Sequence, residues 1–455
     1  MVALLTLLLA SAAQGQINPL NAHREYANSA NKAGYQALNL HPSNLSLQNV
    51  NGQRYSLGLF QTESIVYNEE IKRNLFHRRT NYLSPSGELS YPKYQSLNMR
   101  NIMAQQLSIN TEITHVGFSF QTKKAGSFGV NVKSNVSFET DFNDFANEVL
   151  FQGDGFANYI DTVVSIILAN LENGKLNEKK VFELLDDSYL KINITHEVNL
   201  AYSRQLYTNK THTLLGGVRF GYVYGQADMA IRFNEGDIRG YVSRIPYLRQ
   251  DLGAINLPND IGNRSRSGHG FNSAIGATWL YRDKMKLAIT LTDFGLIKWP
   301  VNPISIKQGL SDNIDLENGL ETAFNDLIKD GIFYYSGSQR NIEWLPAKVV
   351  LGFSYKAHPR ITTYLDALIP LNQSPKNLTG PIIGVGAEAN AWNRLYLRTG
   401  ISYSEVRVTM PTYLNIMIGK KRGYELGLGT ADLLSYFMVQ RNYFQSATGV
   451  FRFYF

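Results

Sequence analysis

The sequence predicts an all-β protein, a transmembrane antiparallel β-barrel of about 14 strands with an amino-terminal plug and helical loop insertions. Three observations predict this class. Segments of alternating apolar and polar residues recur along the chain, short and long connections alternate between them, and the chain ends on an alternating aromatic segment. A period of two places successive side chains on opposite faces of a strand. Closure into a barrel then satisfies the backbone in lipid, while one face of each strand contacts hydrocarbon.

The carboxy-terminal segment, residues 444–455, shows this alternation most clearly. Phe451, Phe453 and Phe455 lie on one face and alternate with Arg452. In water, three phenylalanines on a terminal strand would form a sticky edge that soluble proteins avoid. On this segment alone, the last strand of a soluble sandwich remains the alternative. The pattern resembles the carboxy-terminal signal of bacterial outer-membrane barrels, which implies that the three phenylalanines are an insertion signal read by the barrel-assembly machinery.

The composition fits a barrel better than a bundle of membrane-spanning helices. Hydrophobic residues make up 44% of the chain, and no internal run reaches the roughly 18–20 apolar residues that a spanning helix needs. The chain nevertheless contains 27 tyrosines and 23 phenylalanines, and 18% of its residues are charged. Lipid-facing and lumen-facing residues average out in hydropathy, and aromatic girdles border the lipid-facing band. The composition therefore predicts contact with outer-membrane lipid.

Residues 1–15 have the features of an export signal. Residues 2–10 form a short apolar core, and Ala13 and Gly15 occupy the small-residue positions before a predicted cleavage at Gln16. The start of this stretch lacks Lys and Arg, which departs from the usual pattern. Export and the barrel class together predict the outer membrane of a Gram-negative bacterium.

The chain therefore divides into three predicted parts. Residues 1–15 are the signal peptide, residues 16–53 are a plug segment, and residues 54–455 are the barrel. The plug prediction rests on position before the first strand, on a polar, Asn-rich composition, and on a resemblance given below. A disordered periplasmic leader is the alternative for the same residues.

Composition and motifs also exclude several classes of function. The chain has no cysteine, so it forms no disulfide and no thiolate metal site. The net charge of +7 is modest for 455 residues, and no basic run with interleaved aromatics indicates nucleic acid. No two of the 8 histidines are three or four residues apart, and no Gly-X-Ser-X-Gly motif occurs. We therefore predict no catalytic residue, no cofactor, no metal and no nucleic-acid partner.

Fourteen alternating segments bounded by turn residues are the predicted strands. They lie near 54–66, 106–121, 127–140, 190–206, 212–226, 268–281, 285–296, 346–357, 361–371, 380–390, 394–404, 411–419, 423–431 and 444–455. Short turns and long links alternate between them, as the periplasmic turns and outer loops of outer-membrane barrels do. An even number of strands leaves both chain ends in the periplasm. Residues 229–242 also alternate, and counting them as a strand would break this parity.

The face opposite the lipid carries charges of both signs. The predicted strand phases direct nine charged residues toward the lumen: Lys133, Glu139, Arg219, Lys286, Asp366, Glu388, Arg398, Glu425 and Arg452. Glu388 and Arg398 lie on adjacent strands, as do Glu425 and Arg452, and such neighbours satisfy one another. A wide pore selective for one sign of charge would instead be lined by side chains of a single sign. The pattern favours a structural ladder over a selectivity site, and both interpretations stay open.

Two of the long links contain helical spacing. In the link 141–189, residues 156–190 carry it and Asn173-Gly174 divides it into two predicted helices. In the link 297–345, residues 316–333 predict one short helix. These loops either form a lid or docking surface for another envelope protein, or fold back to stabilise the barrel.

One stretch near the amino terminus resembles a known plug. Residues 37–45 resemble the Asn-Pro-Ala segment in the amino-terminal hatch of FadL-like fatty-acid transporters, with His41 and Ser43 in place of that family's flanking residues. In those transporters the segment lies inside the barrel. The resemblance implies that Asn39, His41 and Pro42 are plug residues.

Two further stretches resemble a functionally unassigned family of outer-membrane barrels that is related to FadL and to PorV, a type 9 secretion component. Residues 291–299, Leu-Thr-Asp-Phe-Gly-Leu-Ile-Lys-Trp, resemble its "TDLGxIxW" stretch, with Phe294 in place of the usual Leu. Residues 345–348, followed by 351–355, resemble a second shared segment. The resemblance implies a barrel of 14 strands in a Gram-negative bacterium with type 9 secretion.

Two functions are compatible with these observations. The first is a FadL-like passive transporter for a small hydrophobic compound, with a lateral or plug-gated path. The second is a PorV-like structural or interaction subunit whose loops, 141–189 and 297–345, hold another envelope protein. A transporter is expected to have a continuous apolar cavity, whereas a subunit is expected to have a filled, charge-laddered lumen.

Overall fold

The computed structural model describes residues 29–47, 54–72, 107–122, 124–143, 171–172, 175–176, 183, 186–234, 237–243, 267–282, 284–306, 333–335, 339–372, 380–391, 394–404, 408–419, 423–437 and 442–455. The export signal, residues 156–170 of the first predicted helical loop and residues 316–332 of the second lie outside these described residues.

The described chain is built almost entirely from antiparallel strands. They are β1 (Tyr55–Lys72), β2 (Leu107–Gln121), β3 (Ser127–Asp141), β4 (Leu171–Glu172), β5 (Lys175–Leu176), β6 (Tyr189–Thr208), β7 (His212–Asn234), β8 (Asp237–Val242), β9 (Gly268–Tyr281), β10 (Met285–Ile306), β11 (Phe333–Tyr335), β12 (Gln339–Trp344), β13 (Lys348–His358), β14 (Ile361–Pro370), β15 (Ile382–Ala391), β16 (Leu395–Tyr403), β17 (Val408–Thr409), β18 (Thr412–Ile418), β19 (Gly423–Thr430) and β20 (Asn442–Tyr454).

Fourteen of the described strands pair into a closed ring, which confirms the predicted antiparallel β-barrel of about 14 strands. The ring runs β1, β2, β3, β6, β7, β9, β10, β13, β14, β15, β16, β18, β19 and β20, and β20 pairs with β1 to close it. At the closure, the backbones of Tyr55 and Phe455 exchange two hydrogen bonds of 3.0 and 3.2 Å. Because the ring has no free edge, the backbone groups of each strand find partners within the barrel.

The remaining strands extend the wall or lie in the links. β8 pairs with both β7 and β10. Two short strands, β11 and β12, also pair with β10. β17 pairs with β16. Residues 229–242 therefore belong to the upper part of β7 and to β8, which continues a hairpin above the ring. They add no strand to the ring, so the start of β1 and the end of β20 stay on the same side of the barrel.

Two loop predictions are corrected by the structure. The predicted link 297–345 begins too early, because β10 continues to Ile306 and pairs with β12. The added part of β10 includes Pro300 and Pro303, although proline has no N–H for a ladder hydrogen bond. The helix predicted across Leu171 is also wrong there, because β4 and β5 form a two-residue hairpin. An Asn-Gly pair favours such a hairpin.

The two faces of the ring differ in polarity, as β10 illustrates. Ala288 and Thr290 are 0% and 1% exposed, whereas the intervening Ile289 is 51% exposed. Many large aliphatic and aromatic side chains of the ring strands are exposed, among them Leu200, Phe220 and Ile275, and many Ser, Thr, Asn and charged side chains are buried. The outward face is the one that hydrocarbon would cover, and the inward face is polar.

Residues 29–47 form short helical turns and lie inside the ring; we call them the lumen segment. The turns are the 3-10 turns Ser29–Asn31, Gly34–Gln36 and Pro42–Ser46 and the α-helical turn Ala37–Leu40. A second α-helical turn, Leu434–Phe437, follows β19. Among the described residues, no helix has the length and apolar character needed to cross a membrane.

Candidate functional site

Glycines on the inner wall make room for the lumen segment. Gly58 lies on β1 and Gly117 on β2. A Cβ atom added at these positions would lie 2.1 Å and 2.2 Å, respectively, from the Tyr35 ring. A Cβ at Gly129 would lie 2.6 Å from Leu38 Cδ1. These distances are shorter than any van der Waals contact, so the segment can lie this close only because the wall lacks side chains at these positions.

The lumen segment also has a small apolar core of its own. Tyr35, Ala37, Leu38 and Leu45 are buried in one cluster with Ala201 of β6. The Tyr35 hydroxyl donates to Gln61 Oε1 at 3.0 Å, so the polar end of this ring is also satisfied. The apolar cluster lies against β1, β2, β3 and β6.

His41 joins the lumen segment to the opposite wall through a buried hydrogen-bond chain. Its Nε2 lies 3.1 Å from Ser29 Oγ, and its Nδ1 lies 2.8 Å from Thr290 Oγ1. The Ser29 hydroxyl donates to Asp366 Oδ1 at 2.5 Å, so it can only accept from His41. His41 therefore carries its proton on Nε2 and accepts from Thr290 on Nδ1. Burial lowers the pKa of His41 to about 3, because the charged form would lose its hydration.

Asn39 and its neighbours join the segment to β3, β6 and β7. Asn131 Nδ2 donates to Asn39 Oδ1 at 3.0 Å, and Asn199 Nδ2 donates to Asn131 Oδ1 at 3.0 Å. Arg219 Nη1 donates to the Leu38 carbonyl at 2.9 Å. Polar groups hold this side of the segment, so it is anchored mainly by hydrogen bonds.

Two cationic side chains of the wall bind the same carboxylate, that of Asp293. Arg219 Nη2 lies 2.7 Å and Lys348 Nζ 2.9 Å from the two carboxylate oxygens of Asp293. The strand phase alone would direct Asp293 outward. A bulge between Leu291 and Phe294 turns it inward, and Asp293 itself adopts a left-handed φ of 57°.

A second group of charges lies on β2, β3 and β6. Lys133 Nζ is 3.3 Å from Glu197 Oε2 and 3.6 Å from Glu112 Oε2. Glu139 is buried and lies opposite Lys191 in the register of β3 and β6. These opposite charges lie on adjacent strands and brace the wall.

The remaining charged candidates lie on β10 and on β14 to β20. Lys286 is half-buried near the turn between β9 and β10, and Asp366 is buried against Ser29. Arg398 Nε donates to Glu388 Oε2 at 3.0 Å, and Arg452 Nη1 lies 3.1 Å from Glu425 Oε2. The ladder pairs of adjacent strands are thus formed in the structure.

A cavity of about 110 Å³ separates the lumen segment from this part of the wall. Residues 31–33 and Gln36 border it on one side. On the other side it is lined by Glu388, Tyr396, Arg398, Asn415, Met417, Glu425, Arg452 and Tyr454. The cavity brings the Glu388–Arg398 and Glu425–Arg452 pairs together at one site.

The upper lumen, toward the long links, contains an apolar cluster. Val223, Ile297, Trp299, Val301 and Leu345 are buried together. The Leu345 amide also donates to the Gly295 carbonyl at 3.0 Å, so the two stretches singled out by family resemblance, 291–299 and 345–348, pack against each other.

The outer face of the wall carries an apolar groove of about 460 Å³. Its rims are aromatic and aliphatic side chains of β2, β3, β6 and β7, namely Phe118, Phe120, Phe128, Val130, Leu200, Tyr202, Val218 and Phe220. Gly129, Ala201 and Arg219 also border it. Gly129 and Ala201 contact the lumen segment on the other face of the sheet, so apolar groups lie on both sides of the wall here.

Sequence reasoning missed Asp293, Lys348, Glu112 and Glu197. One signal was available for Asp293, because a carboxylate at a lipid-facing position is costly and therefore indicates a bulge. Within the described residues, no cluster of three or more His, Asp or Glu side chains is arranged to hold a metal ion. The chemistry of the lumen is charge pairing and hydrogen bonding.

Solved structures with this fold include transport channels. A deltaS2S3 mutant of the monoaromatic hydrocarbon channel TodX is 11% identical, with a TM-score of 0.50, and the match covers 97% of this chain and 99% of that one. The Pseudomonas putida toluene transporter TodX matches at 10% identity over 96% and 97% of the two chains, with a TM-score of 0.45. The Ralstonia pickettii toluene transporter TbuX matches at 10% identity over 98% of each chain, with a TM-score of 0.45. At 11% identity, the likeness to the TodX mutant shows the barrel fold alone.

A family model gives a more direct assignment. No curated protein matches the chain. Residues 49–429 match the model described as a family of unknown function, DUF5723. This match covers most of the barrel, so the chain belongs to the DUF5723 family.

Proposed function

We propose that the protein is an outer-membrane barrel of a Gram-negative bacterium that passively transports a small hydrophobic compound, with the lumen segment as its plug. The observation that carries this proposal is the apolar groove on the outer wall, whose floor is backed by the apolar cluster of the segment across Gly129. The named cargo of TodX and TbuX, monoaromatic hydrocarbon and toluene, supports the same class of compound.

The polarity of the lumen constrains the path of such a compound. Among the described residues, the middle of the lumen is lined by paired charges and by Ser, Thr and Asn side chains. Transfer of an apolar solute past these groups would separate them from their partners or their water, which is unfavourable. A lateral path between the segment's apolar cluster and the outer groove avoids this barrier.

The path would open only when the lumen segment and the wall shift together. β2, β3, β6 and β7 are hydrogen-bonded along the groove, so the wall is closed in this conformation. Displacement of Leu38 and Leu45 would leave Gly129 and Ala201 as the thin part of the sheet. We therefore propose that the segment gates a lateral path rather than an axial one.

Uptake of toluene by cells that carry the barrel as their hydrocarbon channel tests this proposal. A Leu200→Trp variant fills the groove, and we expect it to reduce uptake. Ile401→Trp is the matched control, because Leu200 and Ile401 are similarly exposed, at 61% and 58%, and Ile401 lies on β16, away from the groove. A variant lacking residues 16–53 is expected to increase uptake. Unchanged uptake of every candidate compound in both variants would refute transport.

A second function is supported by a different observation. The charge-paired wall and the occupied lumen are what a non-transporting subunit would need, since they stabilise the barrel and leave no wide pore. On this hypothesis the protein is a PorV-like subunit in secretion, including type 9 secretion, or in envelope assembly. The links 141–189 and 297–345, the latter shortened by β10 and β12, would bind another envelope protein.

Cross-linking in intact cells, followed by purification in detergent, tests the subunit hypothesis. A subunit is expected to be recovered with a defined envelope protein, and shortening either link should abolish this recovery without reducing the amount of folded barrel. Recovery of the barrel alone would contradict the hypothesis, and it would leave the transport experiment above unaffected.

A further inference from the structure

We propose that the end of the barrel formed by the short turns binds the headgroups of anionic phospholipids through a cluster of lysines and arginines. The cluster consists of Lys210, Arg282, Lys284, Lys356 and Arg360, and we call it the basic patch. Three observations support this site: the turns that carry these residues contact one another, their charges are unpaired, and stacked aromatic side chains lie beside them. The site would be present whichever compound crosses the membrane.

The basic patch is held together by backbone hydrogen bonds between neighbouring turns. The Arg282 amide donates to the Thr211 carbonyl at 2.8 Å, and the Lys356 amide donates to the Lys284 carbonyl at 2.8 Å. β7 pairs with β9, β9 with β10, β10 with β13, and β13 with β14, so the turns at the ends of these strands lie side by side. All five cationic side chains of the patch are exposed. They therefore share one section of the rim.

The charges of the basic patch are of one sign and unpaired. The stretches 209–212, 282–286 and 356–360 contain one acidic residue, Asp283, whereas the long links at the other end of the barrel contain many residues of both signs. In the part of the chain that the structure describes, none of the five cations of the patch takes part in an ion pair. Several exposed cations close together create a positive potential, which attracts an anionic partner.

Aromatic side chains place the basic patch at a definite depth in the membrane. The rings of His212 and Trp279 stack with centroids 5.7 Å apart, and those of Trp279 and Tyr281 with centroids 6.0 Å apart. Thr278 is buried, so the next residue, Trp279, faces outward. The Arg282 guanidinium lies 5.3 Å from the centroid of the Tyr281 ring. Aromatic girdles lie at the membrane–water interface, so the adjoining cations are level with lipid headgroups.

A phospholipid provides the chemistry that suits this surface. Arginine can bind a phosphate group through two parallel N–H bonds, and lysine binds it as a point charge. Headgroups surround the rim at high local concentration, which gives them an advantage over a soluble acidic protein. Short turns of outer-membrane barrels face the periplasm. We therefore assign the patch to an anionic phospholipid of the periplasmic leaflet, whose binding would hold the barrel at a fixed depth.

Lipid selectivity of the reconstituted barrel tests this assignment. The full chain is placed in phosphatidylcholine vesicles that contain a trace of spin-labelled phosphatidylglycerol or, as the neutral reference, spin-labelled phosphatidylcholine. The fraction of label immobilised by the protein gives the relative association constant of the two lipids. At about 0.01 M salt we expect an average preference of about twofold for phosphatidylglycerol. The preference should disappear at about 1 M salt, where the Debye length falls from about 30 Å to about 3 Å.

A matched pair of double variants shows whether the lipid binds at the basic patch. Lys210→Gln/Lys284→Gln removes two charges of the patch and should lower the preference from about twofold to about 1.3-fold. Lys298→Gln/Arg340→Gln removes two exposed cations of β10 and β12 at the long-link end, and should leave the preference unchanged.

Two results would overturn the proposal. The first is equal binding of the two lipids to the unaltered barrel, even if a soluble acidic peptide bound the same patch. The second is an equal loss of preference in both double variants, because the attraction would then come from the overall charge of the protein and not from the patch.

Discussion

Arg219 and Asp293 form a buried ion pair between β7 and β10, with Nη2 and Oδ1 2.7 Å apart and the Arg219 side chain 0% exposed. The same guanidinium donates to the Leu38 carbonyl, so the pair links the barrel wall to the lumen segment. The link exists because a bulge in β10 turns Asp293 inward. One irregular residue therefore couples the wall to the segment inside it.

Replacing Asp293 with asparagine should destabilise the barrel by about 3 kcal/mol, because it leaves Arg219 and Lys348 without their shared carboxylate. Chemical denaturation of the protein in lipid vesicles measures this change. The double variant Arg219→Gln/Asp293→Asn should recover part of the loss, because it removes a buried cation together with the carboxylate. Two effects that simply add would mean that the pair contributes no coupling.

Gly217→Ala should displace the lumen segment while the barrel still folds. A Cβ at Gly217 would lie 2.2 Å from the Ser43 amide nitrogen and 2.4 Å from the Pro42 carbonyl carbon. Both are backbone atoms, which cannot move aside by changing a side-chain rotamer. Overpacking of this kind costs about 1–3 kcal/mol, and here it should weaken the docking of the lumen segment by that amount. The chain has no native cysteine, so Ala33→Cys places a single thiol on the lumen segment. When Gly217→Ala is added to this variant, the thiol should react faster with a neutral maleimide, because the displaced segment is more accessible.

Gly384→Ala is the matched control for this substitution, because the nearest atom to its added Cβ would be 3.6 Å away, an ordinary contact. It should leave the reactivity of the same thiol unchanged. If both variants behave alike, the close approach of Ser43 to Gly217 is not what holds the segment in the barrel.

The strands could be predicted from sequence because lipid imposes a simple pattern. Every strand of the ring must present apolar residues outward at a period of two, as Ile289 does between Ala288 and Thr290. The bulge at Asp293 could not be predicted in this way, since one extra residue reverses the phase for the rest of the strand. The upper part of β10 was also missed, and it contains Pro300, a residue type that is rare inside strands because it has no N–H.

The contacts of the lumen segment could not be predicted either. The sequence placed Asn39, His41 and Pro42 in a plug through family resemblance, but their partners lie far along the chain. His41, for example, bonds Thr290, which is 249 residues away. Such contacts depend on which strands face each other across the lumen, and this follows from ring closure rather than from any local pattern.

Docking of the lumen segment should weaken in acid because of His41. Burial lowers the pKa of the docked imidazole to about 3, whereas a free histidine has a pKa of about 6.5. Below pH 6.5 the undocked segment therefore binds a proton that the docked segment cannot bind. The stabilisation is complete above a pH of about 6.5 and is lost as the pH falls toward about 3, by about 1.4 kcal/mol per pH unit.

The mobility of a spin label attached to the thiol of the Ala33→Cys variant measures this dependence between about pH 7 and pH 5. Over that range docking should weaken by about 2 kcal/mol. His41→Asn keeps an amide donor and acceptor but does not titrate, so its label should show no such change. The neighbouring Asp366 reaches His41 through Ser29 and is unchanged in the control. A pH effect of equal size in His41→Asn would assign the titration to Asp366 or another group.

Phe455 should matter more for assembly in cells than for the stability of the finished barrel. Its ring stacks on Tyr55 with centroids 5.4 Å apart, at the closure of β1 and β20. Loss of one such stack in Phe455→Ser should reduce stability by about 1 kcal/mol in refolding experiments. If the terminal phenylalanines are also read by the assembly machinery, the amount of barrel inserted in cells should fall far more than this small change explains. Phe437→Ser is the control, because Phe437 is 72% exposed and lies outside the closing strands. If the two variants insert equally well in cells, Phe455 is not read as an insertion signal, and its contribution is limited to closing the ring.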